Sequence, residues 1–390
     1  MKACIGLIIA FNLLLYGAIC PAIAQELSAR LPEGGLDASA YYGSEHKRFV
    51  NRGEHLYLGR GIGKRAGLFY FLQMADQRRV KIEAPWREYM ASRADLHYVS
   101  LQKKALDEQF RVGDLLYYDQ STRQAGFLLD DSWPPEGKPK RTFLLHWDFD
   151  QGRITRATVL GRKLADEYLR FIPVGVHWAS NQVYVARSVA FGRGKGALRE
   201  VDILKVGGDS IAVVAKIKPK KYLYRRFAFD QRTQRVFLAE YGEKHEKPKP
   251  YGYLVNLVDG DVRKTRVPFT PYGLVFGPQS EFIYMYGSQL GDLWKVKLSS
   301  LKRVKRLRVG GLGHAMGLLE NNILMVVRNR GLQPVHLSPF KKGKLLPIKN
   351  YYSGFSNVSG SVAGAGWAII KNGQMLYAVD FQTTHSSEGR

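Results

Sequence analysis

The side chains in this sequence with the greatest capacity for chemistry are cationic. Lys138, Lys140 and Arg141 fall in the stretch PPEGKPKR. Lys244, Lys247 and Lys249 fall in a second Pro/Lys stretch, EKHEKPKP. Arg193 and Lys195 lie in FGRGKGA, and Arg328 and Arg330 in RNRG. A further set, Arg170, Tyr224, Arg225, Tyr272 and His314, stands at the opening of short apolar runs. Guanidinium groups form paired hydrogen bonds with phosphate or carboxylate, and lysines add point charge. Brought together, these residues would form an anion-binding surface. His314 follows Gly310, Gly311 and Gly313, where the backbone can approach a ligand closely. If the site turned over a lactone or a phosphate ester, His314 and Arg225 are the candidates for catalysis. His177, between Val176 and Trp178, and His146, beside Trp147, read instead as hydrogen-bonded core residues.

Other chemistries find little support. A hard cation needs several oxygen ligands, and Asp114 is the main acid among the apolar-run openings. Asp130 with Asp131 and Asp148 with Asp150 read as neutralising neighbouring Arg and Lys. No metal or cofactor is expected. There is no Gly-x-Ser-x-Gly elbow and no His-Glu-x-x-His. Gly59, Gly61 and Gly63 lack a following helix. The glycines from 192 to 196 lack the spacing and the Ser/Thr of a phosphate loop.

The N-terminus reads as an export signal. Lys2 precedes an apolar run over 5–19, and Ala22-Ile23-Ala24 offers a cleavage site before Gln25. Cys4 and Cys20, the only cysteines, lie in that segment, so no disulfide is expected beyond it. No later apolar run reaches the length of a membrane helix. The expectation is a periplasmic or secreted protein. Its formal net charge of +25 favours anionic partners, such as envelope glycan, phosphorylated lipid or another acidic ligand. Nucleic acid is a weaker candidate.

Positioning these cations falls to a repeated strand pattern. A turn residue precedes an apolar strand that ends in a polar residue: GEHLYLGR (53–60), RQAGFLLDD (123–131), SNQVYVAR (180–187), TQRVFLAE (233–240), SEFIYMYG (280–287), ENNILMVVR (320–328) and NGQMLYAVD (372–380). An apolar strand lies upstream of most copies, and two more joined by Gly/Asp turns follow. Four antiparallel strands per repeat predict an all-β fold, a β-propeller of seven blades or, as the alternative, six. Residues 25–46 form an N-terminal segment, 47–381 the propeller and 382–390 a tail. The last repeat stops after two strands, so closing it needs a strand from 25–46. Pro85 opens a predicted short helix presenting Trp86, Tyr89 and Met90. Lys302, Arg303, Lys305, Arg306 and Arg308 fall on an outer strand, where they read as protection of a sheet edge.

The strand motif resembles that of bacterial YVTN/NHL-type and TolB-like propellers over most of 47–381. That resemblance implies the fold. It admits lactone hydrolases, quinoprotein-like folds and binding scaffolds alike. The functional expectation is an exported binding propeller that meets an anionic partner on the face holding the second-to-third-strand loops. A lactonase- or phosphoesterase-type hydrolase and a protein-interaction scaffold are the alternatives.

Overall fold

The computed structural model describes residues 36–37, 50–52, 55–60, 66–73, 79–92, 106, 109–119, 122–131, 140–163, 167–191, 198–207, 210–221, 223–240, 250–287, 291–311, 313–318, 322–328, 331–347, 367–372 and 375–380. They belong to two compact units, one spanning residues 39–276 and a smaller one made of residues 1–38 and 277–390.

The smaller unit begins with β1 (Leu36–Asp37). The larger unit starts at β2 (Val50–Arg52), followed by a sheet of β3 (His55–Arg60), β4 (Leu68–Gln73) and β5 (Arg79–Glu83). Helix α1 (Trp86–Ala91) comes next, with Pro85 at its N-terminal end. It buries Trp86 and Met90 and half-buries Tyr89, as the sequence predicts. Then β6 (Phe110–Asp119), β7 (Gln124–Asp131), β8 (Lys140–Asp148) and β9 (Arg153–Lys163) form an antiparallel meander, with β2 added parallel to β6. Two four-stranded meanders follow. One holds β10 (Glu167–His177), β11 (Gln182–Phe191), β12 (Leu198–Gly207) and β13 (Ser210–Ile217). The other holds β14 (Leu223–Asp230), β15 (Arg235–Glu240), β16 (Tyr251–Asn256) and β17 (Val262–Arg266). β18 (Gly273–Phe276) ends the larger unit.

In the smaller unit β19 (Phe282–Gly287), β20 (Asp292–Lys297) and β21 (Lys302–Arg308) pair in sequence order. β22 (Gly313–Leu318), β23 (Ile323–Arg328), β24 (Gly331–Leu337) and β25 (Phe340–Lys342) do the same, and β26 (Leu346–Pro347) also pairs with β24. The last sheet has the order β1, β28 (Met375–Asp380), β27 (Trp367–Asn372). β1 pairs antiparallel with β28, Leu36 opposite Leu376. A strand from the 25–46 segment thus adds a third strand to the sheet that the C-terminal repeat leaves short.

The backbone gives the repeat its reason. Gly67, Arg123, Asn181, Gln234 and Asn322 each have positive φ, and each immediately precedes the second strand of its sheet, as β4, β7, β11, β15 and β23 begin. Ser280, two residues before β19, has it too. In these six turns the residue before the apolar strand is therefore a left-handed position that reverses the chain between the first and second strands. One copy needs correction. GEHLYLGR is β3, an edge strand of its sheet, whereas the other copies are second strands. The counterpart in that sheet is β4, preceded by Gly67. The second strands then start at 68, 124 and 182, and the long first interval disappears. A Gly in the turn and a strand of Phe and Tyr fit the pattern as well as 53–60 does, so strand composition alone cannot separate the two.

Consecutive sheets of the larger unit bury their faces against one another. Phe69, Trp86, Phe110, Phe127, Phe143 and Trp147 share one core, and Tyr184, Ile203, Phe227 and Leu238 share another. Burying side chains of this size contributes roughly 1.5–3 kcal/mol each. Between these cores a polar row crosses four strands. Tyr117, Gly126, His146 and Arg156 stand in one register line on β6, β7, β8 and β9. A Cβ at Gly126 would lie 2.1 Å from the Tyr117 ring, so only glycine lets that ring cross β7. Tyr117 Oη then reaches His146 Nδ1 at 2.8 Å, and Arg156 donates to His146 Nε2 at 2.8 Å. An accepting Nε2 puts the ring proton on Nδ1. Burial, helped by the adjacent Arg156 charge, lowers the His146 pKa to about 3.

Candidate functional site

The second-to-third-strand connections of three sheets spring from stems tied by a polar side chain, buried in two of them and half-buried in the third. The tie sits at the last residue of the second strand. Glu240 ends β15 and is buried. Its Oε1 accepts from the Lys220 backbone N–H at 2.8 Å and from Tyr253 Oη at 2.7 Å. Its Oε2 accepts from the Tyr251 backbone N–H at 2.9 Å. One carboxylate thus joins the approach to β14, the end of β15 and the start of β16. Burial and the Glu240 carboxylate push the Tyr253 phenol far above its usual range.

Asp131 repeats the plan. It ends β7, accepts from Gln109 Nε2 at 3.0 Å, and pairs with Arg141 at 3.5 Å. It joins the approach to β6, the end of β7 and the start of β8. Burial raises the Asp131 pKa to about 6, against opposing contributions from Gln109 and Lys140. Asp130, also raised by burial, accepts from Thr142 Oγ1 at 2.6 Å.

In the sheet of β22–β25 the polarity is reversed. Arg328 ends β23 and donates through Nη1 to the Val309 carbonyl at 2.8 Å and to Gln333 Oε1 at 3.5 Å. Gln333 is buried and donates to the Gly343 carbonyl at 2.7 Å. The passages joined are again the approach to the first strand, the end of the second and the start of the third. Nearby, Tyr286 Oη lies 3.2 and 3.1 Å from the carbonyls of Gly310 and Gly311. Burial raises the Tyr286 pKa to about 12.

The sequence-predicted residues distribute over this frame as follows. Lys140 is exposed at the start of β8, next to the Asp131 stem. Arg141 is committed to that stem, and Arg328 is a stem residue itself. Tyr272 is half-buried just before β18. Tyr224 and Arg225 lie in β14 within the irregular stretch between the paired residues Leu223 and Phe227. His314 is the extra residue of a bulge between Gly313 and Ala315 in β22, and Asp114 lies in a similar irregularity of β6. Bulges re-aim side chains, and five of the six described pairings of a first with a second strand are interrupted in this way, that of β27 with β28 being the exception, whereas the described second-to-third pairings run in unbroken register. Arg170 sits in β10 opposite Ser188. Lys138, Arg193, Lys195, Lys244, Lys247, Lys249 and Arg330 lie outside the described residues. His177 is not a core residue: it is half-buried at the end of β10, with Nδ1 2.6 Å from Ser180 Oγ.

Sequence reading missed Glu240, Gln109, Tyr253 and Gln333, and took Asp131 for a charge neutraliser. The signal was present as the polar residue ending each copy of the motif. A strand-terminal acid ordinarily marks an exposed end; here the crossing chain passages bury it.

No family model matches the sequence, and no curated protein does. Solved structures are similar in fold. A chain in the crystal structure of the mitotic checkpoint complex aligns with a TM-score of 0.52 at 9% identity, covering 89% of this chain and 93% of that chain. Kluyveromyces lactis Hsv2 aligns with a TM-score of 0.42 at 11% identity, covering 74% and 73%. A Bacteroides caccae protein aligns at 0.40 and 12%, covering 77% and 95%. Four-stranded antiparallel sheets in sequence order, together with the first of these likenesses, make the fold an all-β propeller.

Proposed function

We propose that this protein is an exported binding propeller that engages an anionic partner through the cationic loops between second and third strands. The observation that supports it most is the set of buried ties at Asp131 and Glu240. Loops 132–139 and 241–249 carry Lys138 and Lys244, Lys247 and Lys249, with Lys140 at the stem. Each springs from strands fixed by a buried carboxylate. Prolines in both segments would stiffen them, and a stiff loop loses less entropy on docking. The carboxylates of Asp131 and Glu240 are spent inside the stems. The bulged opening of β14 would add Tyr224 and Arg225 to the same surface. The resemblance of the strand motif to that of YVTN/NHL-type and TolB-like propellers supports kinship with them in this reading.

The test is charge reversal of Lys138, Lys140, Lys247 and Lys249 to Glu in one variant. Binding to anionic glycan or to vesicles of anionic lipid should weaken at least about tenfold and lose much of its salt dependence. Binding equal to that of the unaltered protein would refute the reading.

A further inference from the structure

A second cationic feature, independent of the loops, lies on the edge strand β21. All its residues but Leu307 are exposed. Val304 is an extra residue between the pairs Lys295 with Lys305 and Val296 with Arg303. This bulge resets the strand alternation and sorts the cations by type. Arg303, Arg306 and Arg308 fall on the sheet face of Asp292 and Trp294. Arg306 pairs with Asp292 at 2.8 Å, and the Arg303 guanidinium lies 4.5 Å over the Trp294 ring. Lys302 and Lys305 fall on the other face, directly opposite Lys297 and Lys295.

Like charges directly opposite weaken a sheet, and here two such pairs stand side by side. Lys295 is drawn over the Phe282 ring at 4.0 Å. Lys302, Lys305 and Arg308 have no ion-pair partner among the described residues. β25 approaches β21 and adds exposed Lys341 and Lys342. From Leu293 to Val379 the sequence holds a single acid, Glu320.

Protecting an edge from pairing with another sheet needs less than this. β13 is also an edge strand and carries one cation, Lys216. On β17, Lys264 and Arg266 are drawn onto the Tyr251 ring. The charge on β21 exceeds edge protection, and Lys302, Lys305 and Arg308 have no such sink among the described residues.

We propose that β21 and its neighbours bind a linear acidic polysaccharide, carboxylated or sulfated. Cations on both faces of a seven-residue edge, roughly 23 Å long at the usual strand rise, can flank a thread from two sides. A flat lipid surface would meet only one face. Single-stranded nucleic acid is held on exposed aromatic rings. The large hydrophobic residues exposed among the described ones are Val213, Val258 and Val304, and Arg303 caps Trp294.

The experiment uses the full chain with heparin and polygalacturonate as sulfated and carboxylated probes. Duplex DNA, single-stranded DNA and phosphatidylglycerol vesicles are the competitors. At about 0.15 M salt at least one polysaccharide should bind more tightly than DNA or vesicles. Lys302→Glu with Lys305→Glu should lower that affinity about tenfold or more, and the Gln pair should fall between. The Glu pair should also raise the melting temperature, since Lys295 and Lys297 gain opposite charges. Unchanged polysaccharide affinity in the Glu pair, or preference for DNA or vesicles, overturns the proposal. A loss confined to the 138/140/247/249 variant also overturns it while supporting the loop reading.

Discussion

Glu240 shows how much one side chain can organise in this fold. Replacing it with Ala removes the acceptor for two backbone N–H groups and the Tyr253 hydroxyl. An orphaned buried donor costs about 1–3 kcal/mol, so the variant should lose about 3 kcal/mol in denaturant unfolding and become more sensitive to proteolysis in 241–249. Gly126→Ala forces the Tyr117 ring off His146 and should cost about 1–3 kcal/mol as overpacking. Two titrations act in opposite directions. Asp131 has a folded pKa of about 6, above its ordinary 3.8. Its protonated form is favoured by folding, so its contribution is full below pH 3.8 and is lost as pH rises through about 6. His146 has a folded pKa of about 3, below 6.5. Its contribution is present above pH 6.5 and is lost as pH falls toward 3. Asp131→Asn should therefore flatten the stability profile on the side where pH rises through 6, and His146→Gln on the side where it falls below 6.5. Urea unfolding at stepped pH separates the two.

Among the elements, the second strands of the repeat were the most legible, and their turns explain why. The left-handed residue before each is Asn at 181 and 322 and Gly at 67, types that tolerate positive φ. Arg123 and Gln234 occupy the same position at a steric cost. Arg123→Gly should accordingly stabilise the protein by up to about 1 kcal/mol. The exposed ion pair it gives up, to Asp150, is worth little. The end of each strand was read less well. A terminal Asp, Glu or Arg looks the same in sequence whether it meets water or a buried backbone N–H. The pattern of turn, apolar strand and polar end was visible; the burial of that end depends on chain passages around twenty residues away at Gln109 and Lys220. The role of Arg328 was missed for the same reason, because a basic residue beside Asn and Gly reads as a loop cation. Its carbonyl partner Val309 belongs to a different sheet passage.

On the scale of the molecule, the need for an N-terminal strand could be inferred because the C-terminal repeat stops after two strands. The position of β1 could not, since two residues carry no periodicity. Removing residues 25–38 would leave the β28 edge uncovered. Calorimetry should then show a lower melting temperature, and hydrogen exchange should quicken in β27 and β28. The net charge of +25 is the other whole-molecule property, and it bears on association rather than fold. The buried carboxylates at 131 and 240 consume acid inside the loop stems, and β21 leaves cations exposed along an edge. Both features direct positive charge outward.

The most direct test is the affinity of the unaltered full chain for an anionic polymer, measured over a series of salt concentrations. The account predicts that the logarithm of the binding constant falls linearly with the logarithm of salt, as expected when several cations displace bound counterions. Affinity that is absent at low salt, or indifferent to salt, would contradict it.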